Sequence, residues 1–509
     1  MSAGARRGDL AILAGIAGLR LVLHLSTAQG YGIFRDELYY LACASHLDFG
    51  YVDHPPLSIA LLEAWRTLFG DGLTALRFLP AVAGAGTVFL TGLIARELGG
   101  ARTAQALAAL AAFFTPYFLA VSHFYSLNAF DVLLWTALLL LAVRILRFDQ
   151  PRLWLWFGAL AGLGLENKYT LASLGFGLVV GLALTEQRRQ LRSPWLWAGG
   201  VIAAALLAPN LVWQAAHGAP TLEFMRNAAE LKNAPVTPLE FLGGQVVLVH
   251  PLLAPLWLIG LAALLFAPRF ASVRALGIAY VALLVLMVFA HAKVYYLAPI
   301  YPVLFAAGCV EVEAFFARRA WRFAPAAVGV SIVAAGLVAL PMTIPVLPPE
   351  TFIAYSRAIG VGEPKMERME KGALPQIYAD MFGWRELADE VARVFHELPE
   401  DERARAVVLG RNYGEAGAID YFGPALGLPR AISPHNSYWL WGTGDWDGGV
   451  AILIGEMPQE LVDSFASVEK RGQRSCALCQ PYESELPISV ARGLRAPVSE
   501  LWARYKRFM

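Results

Sequence analysis

The strongest constraint on this chain is a repeating pair: an apolar segment long enough to cross a bilayer, then a short loop that is basic every second time. A helix needs about 20 apolar residues to span the hydrocarbon core, fewer where neighbours shield its ends. Such segments read at residues 9–27, 74–95, 103–121, 127–147, 153–166, 170–184, 196–214, 244–266, 274–290, 295–316 and 323–342. The two shortest, 153–166 and 170–184, also read as one broken pair around Glu166–Thr170. Arginines mark alternate loops: Arg6 and Arg7; Arg96 and Arg102; Arg147 and Arg152; Arg188, Arg189 and Arg192; Arg269 and Arg274; Arg318, Arg319 and Arg322. Positive charge in short loops stays cytoplasmic. The N-terminus is therefore expected inside, and loops 28–73, 122–126, 166–169, 215–243 and 291–294 outside. An odd number of spans also puts the tail, 343–509, outside.

Composition agrees with this pattern. Charged residues are 16% of the 509, against roughly a quarter in soluble domains. The net charge of +1 supplies no global field for nucleic acid. Ala3 to Arg7 followed by Leu10–Leu25 reads as a charged flank and a first span rather than a cleaved leader.

The expected architecture is an all-α polytopic membrane domain, 1–342, with a first outer loop at 28–73, followed by a small extracytoplasmic α/β domain, 343–509. Pro341, Pro345, Pro348 and Pro349 form the linker. Beyond it, Trp384–His396 has the spacing of an amphipathic helix. Ala406–Leu409 and Val450–Ile454 are apolar runs suited to buried strands, and Gly414–Gly423 fits a helix between them. Cys43 and Cys309 lie in or near apolar segments and read as packing residues. Cys476 and Cys479 form a CxxC with no partner pair, which suits a local disulfide in an oxidising compartment better than a zinc ribbon.

Candidate chemistry gathers on the outer side. The first outer loop carries Arg35-Asp36-Glu37 beside aromatics, then Asp53-His54-Pro55-Pro56. A proline disfavours helix at the residue before it, so His54 is expected in extended backbone. Asp131 falls about one turn into the fourth span, where an acid is costly and a functional candidate by default. A helix cap by Ser126 or Asn128, with Asp131 in the first turn, accounts for it equally. Lys168, in Glu166-Asn167-Lys168-Tyr169, and Lys293, before Tyr295 and Tyr296, stand on the outer side against the positive-inside trend. Each asks for an anion such as a lipid phosphate, or for the headgroups in general. The loop 215–243 holds His217, Glu223, Arg226, Asn227, Glu230 and Lys232. His217 and His250 are metal-ligand candidates beside Asp53, though a structural histidine explains each as well. No Walker loop, GxSxG, HExxH or dinucleotide-binding glycine pattern stands in a suitable context. An intramembrane acid and a broken segment also fit a transporter or flippase, and a non-catalytic assembly factor for envelope polysaccharide is a third reading.

Taken in order, these residues resemble a known family. The first-loop acidic pair Asp36-Glu37, the segment Asp53-His54-Pro55-Pro56, the fourth-span Asp131 and the Tyr-Tyr-Leu-Ala-Pro-Ile-Tyr-Pro run from Tyr295 to Pro302 are similar to those of GT-C glycosyltransferases of family 39. That family includes protein O-mannosyltransferases and the aminoarabinose transferases that modify lipid A. The resemblance covers roughly residues 9–342. It implies a bacterial member of the GT-C type in the inner membrane. Such an enzyme moves a sugar with inversion from a polyprenyl-phosphate donor to a lipid, glycan or protein acceptor. It further implies Asp36 as catalytic acid/base, with Glu37 and Asp131 beside it. Arg35, Lys168, Lys293 and His54 would bind the donor phosphate, and Tyr39, Asp53, Tyr295 and Tyr296 would line the substrate pocket. No cofactor is certain, and a divalent metal stays open because relatives differ. Two departures stand out. A histidine replaces the lysine that lipid A-modifying relatives tend to carry before the two prolines, and the tail lacks the β-trefoil insertion of the protein O-mannosyltransferases. Asn412-Tyr413-Gly414-Glu415-Ala416 and His435-Asn436-Ser437-Tyr438-Trp439-Leu440-Trp441-Gly442 resemble bacterial members of unassigned acceptor.

Overall fold

A computed structural model describes residues 3–360, 370 and 372–509, with side chains from residue 8 onward. The side chains of Arg6 and Arg7 lie outside the described residues. The chain divides into two compact units. One comprises the residues up to Gln29 with Gly70–Val212 and Pro235–Leu347; the other comprises Gly30–Phe69, Trp213–Ala234 and Pro348–Met509. The division departs from a single cut at 342/343, because the first outer loop and part of the loop 215–243 group with the tail.

The first unit is helical. Among the described residues, seven helices are long and apolar enough to cross a membrane: Gly8–Thr27, Leu73–Glu97, Leu127–Phe148, Pro194–Ala216, Pro268–Phe289, Val294–Arg318 and Ala324–Met342. The chain is a multi-pass membrane protein. Four expected spans take other shapes. The segment 103–121 breaks into Arg102–Phe113 and Pro116–Val121, because Pro116 lacks the N–H that a continuing helix would donate. The segment 244–266 bends by 90° between Pro238–Val249 and Pro251–Phe266. At the bend His250 takes φ +87°, and its Nδ1 accepts the Leu252 N–H at 3.1 Å, capping the new turn. The short apolar pair appears as Leu153–Leu165 and Tyr169–Ala183. Apolar lipid drives helix–helix association little, so small residues that allow close backbone approach supply the contact. A Cβ on Gly158 would meet the Gly199 carbonyl at 2.0 Å, and one on Gly260 would meet the Leu304 carbonyl at 1.9 Å. Both helix pairs therefore touch backbone to backbone.

The second unit is α/β. Its five-stranded sheet has β1 at Ala406–Leu409, β2 at Ala431–Ile432, β3 at Val450–Ile454, β4 at Phe465–Ser475 and β5 at Glu485–Leu494. The order is β2-β1-β3-β5-β4, parallel across the first three strands and antiparallel across the last two pairs. β3 is buried along its whole length, as expected of a strand covered on both faces. The expected helix Trp384–His396 forms with those bounds and buries Leu387, Ala388, Val391 and Phe395 on one face. The helix expected at Gly414–Gly423 occupies Tyr413–Phe422. It packs closely on the first-loop helix Arg35–Ala44, where a Cβ on Gly417 would stand 3.0 Å from Leu38. Cys476 and Cys479 form a disulfide, while Cys43 and Cys309 are free and buried.

Candidate functional site

The site in the α/β unit starts from the first turn of the helix Arg35–Ala44. Its three charged residues diverge because successive helical residues point about 100° apart. Glu37, at the third helical position, is fully buried and accepts the Phe34 backbone N–H at 2.8 Å. It works as an N-terminal cap. Arg35 lies across the Tyr413 ring, 5.6 Å from its centre, and donates to the Tyr482 hydroxyl. Its guanidinium stands 3.5 Å from Asp380 and 3.8 Å from Asp36. Burial alone would depress its pKa; the negative charge of Asp380 first, then Tyr413, Tyr482 and Asp36, more than offsets that and raises it well above the usual range. Asp36 keeps a third of its side-chain surface exposed, and its Oδ1 accepts the Tyr413 hydroxyl proton at 2.9 Å. It is an oriented carboxylate that solvent and small molecules reach.

The tail stretches singled out in the sequence form the frame that holds these groups. Asn412 Oδ1 caps the helix Tyr413–Phe422 by accepting the N–H groups of Gly414 and Glu415 at 2.9 and 3.0 Å. Gly414 is required: a Cβ there would stand 2.5 Å from Arg35 Cγ. Glu415 is fully buried and accepts Arg411 Nε and Nη2 at 3.0 and 2.7 Å. Tyr413 stacks between Tyr39, at 4.5 Å, and His435, at 4.8 Å. His435 Nδ1 accepts the Tyr413 N–H, so Nε2 carries the proton donated to the Met509 carbonyl at 2.8 Å. Burial holds that ring neutral, with its pKa well below the usual histidine range.

Tyr39 donates to Asp53 at 2.7 Å and lies 2.8 Å from the Ser437 hydroxyl. Burial, and then Asp53, push the Tyr39 pKa up and keep its hydroxyl protonated. His54 is 2% exposed, enclosed by the rings of Tyr39, Tyr40 and Tyr51. Its Nδ1 donates to the Pro55 carbonyl at 3.0 Å. The histidine named as a phosphate-binding candidate is packed among these three rings.

Arg35 and Tyr413 line a cavity of about 590 Å³, together with Lys232, Arg411, Tyr482 and Arg507. Four of these six side chains are cationic, with Arg35 paired to Asp380 and Arg411 to Glu415, and Glu370 also lines the cavity. Lys232 lies in the loop 215–243 flagged in the sequence. Asp380, Arg411, Tyr482 and Arg507 were not expected. They stand far from the first loop in sequence and belong to no recognisable pattern, so only folding brings them to Arg35.

The remaining expected residues lie in the helical unit. Lys168 Nζ stands 3.5 Å from Asp131 and donates to Asn128 Oδ1 at 2.7 Å. It also lies over the rings of Tyr295 and Tyr296, at 5.3 and 5.0 Å. Ser126 caps the helix by accepting the Asn128 N–H, so the capping reading holds for Ser126 while Asp131 pairs with Lys168. Lys293 precedes the turn Val294–Ile300 that carries both tyrosines. The expected residues thus form two clusters, Arg35, Asp36, Tyr39, Asp53 and His54 in one unit and Asp131, Lys168, Lys293, Tyr295 and Tyr296 in the other.

Among the described residues, no group of three or more His, Cys, Asp or Glu side chains is placed to hold a metal ion. His217 Nδ1 donates to the Trp213 carbonyl, and its ring stacks on Trp213; His250 caps a turn. Each histidine therefore has a local task.

Residues 53–213 match a family model described as dolichyl-phosphate-mannose-protein mannosyltransferase. Among solved structures, the chain is similar to ArnT from Cupriavidus metallidurans bound to undecaprenyl phosphate, with TM-score 0.62 and 14% identity over 93% of this chain and 97% of that one. The apo ArnT structure gives TM-score 0.62 and 13% identity over 95% and 98%. The oligosaccharyltransferase AglB from Archaeoglobus fulgidus, in complex with an inhibitory peptide and a dolichol-phosphate, gives TM-score 0.52 and 14% identity over 84% of this chain and 65% of that one. No curated protein matches in sequence.

Proposed function

We propose, for a chain that is a relative of the GT-C glycosyltransferases in fold and over residues 53–213, that it moves a sugar with inversion from a polyprenyl-phosphate donor to an acceptor at the outer face of the membrane. The observation that carries this reading is Asp36, a solvent-reachable carboxylate oriented by the Tyr413 hydroxyl beside a cavity lined by four cations. The ArnT relative holds undecaprenyl phosphate and the AglB relative a dolichol-phosphate, which supports a lipid-phosphate donor here.

In the proposed step, Asp36 takes the proton of the acceptor's nucleophilic group. That group attacks the anomeric carbon, and the bond from that carbon to the phosphate oxygen breaks. The electron pair leaves on the polyprenyl phosphate. Negative charge grows on the leaving oxygen, so fixed cations lower the barrier. Arg35 is assigned that role in the α/β unit, and Lys168 and Lys293 are the corresponding candidates in the helical unit. Tyr39 and Asp53 are the substrate-contact candidates in the α/β unit and Tyr295 and Tyr296 those in the helical unit, where Asp131 orients Lys168 through their ion pair.

The finer topology belongs to the same proposal: about eleven membrane passages including the short and bent helices, an N-terminus inside, and the α/β unit outside a bacterial inner membrane. The acceptor is a lipid, glycan or protein.

The test compares purified wild type with Asp36→Asn on a panel of radiolabelled polyprenyl-phosphate sugars and a membrane lipid and glycan extract. Release of polyprenyl phosphate and transfer of label are both followed. A general base contributes about 10²–10⁴ in rate, so folded Asp36→Asn is expected to lose at least about a hundredfold. Equal transfer by both proteins removes Asp36 as the base.

A further inference from the structure

We infer that a second cavity in the α/β unit is a saccharide subsite that seats the sugar units of the acceptor; this rests on the transferase reading above. The cavity has a volume of about 410 Å³. It lies where the three parallel strands end. Gly410 and Arg411 follow β1, Pro434 follows β2 by two residues, and Glu456 to Pro458 follow β3. The crevice outside the carboxyl ends of parallel strands is where α/β sheets bind ligands, because loops diverge there while the strands fix their starting points.

The lining has the chemistry of sugar recognition. Trp502 and Tyr505 supply aromatic surface for the C–H face of a pyranose ring. Glu456 offers an acceptor for sugar hydroxyls, and Arg411 and Arg507 offer donors. Arg411 is already neutralised by Glu415, so the remaining opposed charges of Glu456 and Arg507 give the cavity little net preference for an ion. A neutral polyhydroxylated ligand meets that balance better than a phosphate does. Tyr505 Oη is shielded from solvent and has no hydrogen-bond partner among the described residues. Tyr505 therefore contributes its ring rather than its hydroxyl to the cavity wall.

One local feature keeps the wall in place. Gly455, directly after β3, takes φ +77°, and a Cβ there would stand 2.3 Å from Arg411 Nε. The glycine lets the arginine lie across the strand end. Arg411 and Arg507 line both this cavity and the one beside Asp36. They form a shared wall between the two cavities.

The experiment uses the full-length chain in detergent and saturation-transfer NMR with three soluble probes: a neutral hexose trisaccharide, an N-acetylhexosamine trisaccharide and a hexuronic acid disaccharide. At least one neutral probe is expected to bind wild type and Asp36→Asn alike. Binding should weaken about tenfold or more in Tyr505→Ala and in Arg507→Gln, the scale of one lost charge-assisted hydrogen bond or aromatic contact. Arg507 is exposed, so its variant keeps the test valid if Tyr505→Ala fails to fold. Binding that survives both variants, or preference for the acidic probe, or no binding by any probe, overturns the inference. Polyprenyl-phosphate release is measured in parallel. Wild type that releases it without binding a saccharide leaves the transferase reading intact and removes the subsite. Wild type that binds saccharide at this cavity but consumes no donor does the reverse.

Discussion

Replacing Arg35 with methionine separates its structural task from its chemical one. The guanidinium is 10% exposed and lies 3.5 Å from Asp380, which is 1% exposed. At an effective dielectric of about 20, opposite charges at that distance attract by about 5 kcal/mol before desolvation is counted. Removing one partner of a buried pair costs about 3–5 kcal/mol, because the remaining charge is left in a poor solvent. Arg35→Met is therefore expected to lower the unfolding midpoint sharply. Asp380→Asn in the same chain removes the stranded charge and should recover at least about 2 kcal/mol, the scale of coupling between groups in contact. Polyprenyl-phosphate release should stay depressed in the double variant, since no cation then stands at that place. The assay is thermal unfolding of full-length protein in detergent, paired with donor release. A double variant as unstable as Arg35→Met would refute the ion-pair argument. A double variant with wild-type release would show that Arg35 only holds the fold, and the leaving-group role would fall.

Three further predictions follow from single contacts. Tyr413→Phe keeps the stacks on Tyr39 and His435 but deletes the hydroxyl that donates to Asp36; turnover should drop about tenfold with an unchanged melting midpoint, as expected of one hydrogen bond to a charged group. Burial, and then repulsion from Glu415, raise the Glu483 pKa from 4.5 to about 7. The folded state thus keeps a proton that the unfolded chain loses first, and this contribution is present below about 4.5 and lost as pH rises through about 7. Comparing Glu483→Gln with wild type from pH 5 to 8 should show the wild type losing on the order of 3 kcal/mol relative to the variant; parallel profiles would contradict the assignment. The disulfide Cys476–Cys479 closes a loop of three residues' separation, so Cys476→Ser should destabilise the α/β unit by about 2 kcal/mol on chain-entropy grounds, read as a fall in its midpoint by circular dichroism.

What the sequence alone determined is what depends on local pattern. Apolar runs of span length declare themselves because lipid accepts only helices whose backbone groups are satisfied within the segment. The helix Trp384–His396 and the strands Ala406–Leu409 and Val450–Ile454 were legible because each carries its own periodicity or run of β-branched and apolar residues. Asp36, Asp131 and Lys168 stood out because a charge beside or within an apolar run is costly unless something pairs with it. The bend at His250 and the break before Pro116 were less legible, since hydropathy averages over a window and hides a single turn of altered backbone. Tertiary structure alone decided which charges work together. Glu37 and Asp36 are neighbours in the chain, yet one caps a helix and the other, a third exposed, accepts the Tyr413 hydroxyl proton, because one residue along a helix is a rotation of about 100°. Arg35 meets Asp380 and Tyr482 across more than three hundred residues. Its acid neighbour takes its hydrogen bond from Tyr413, on a helix that packs against Arg35–Ala44 where Gly417 leaves room. Such partners share no spacing or motif, since their proximity is a property of how the helices and sheet pack, which single-residue patterns do not encode.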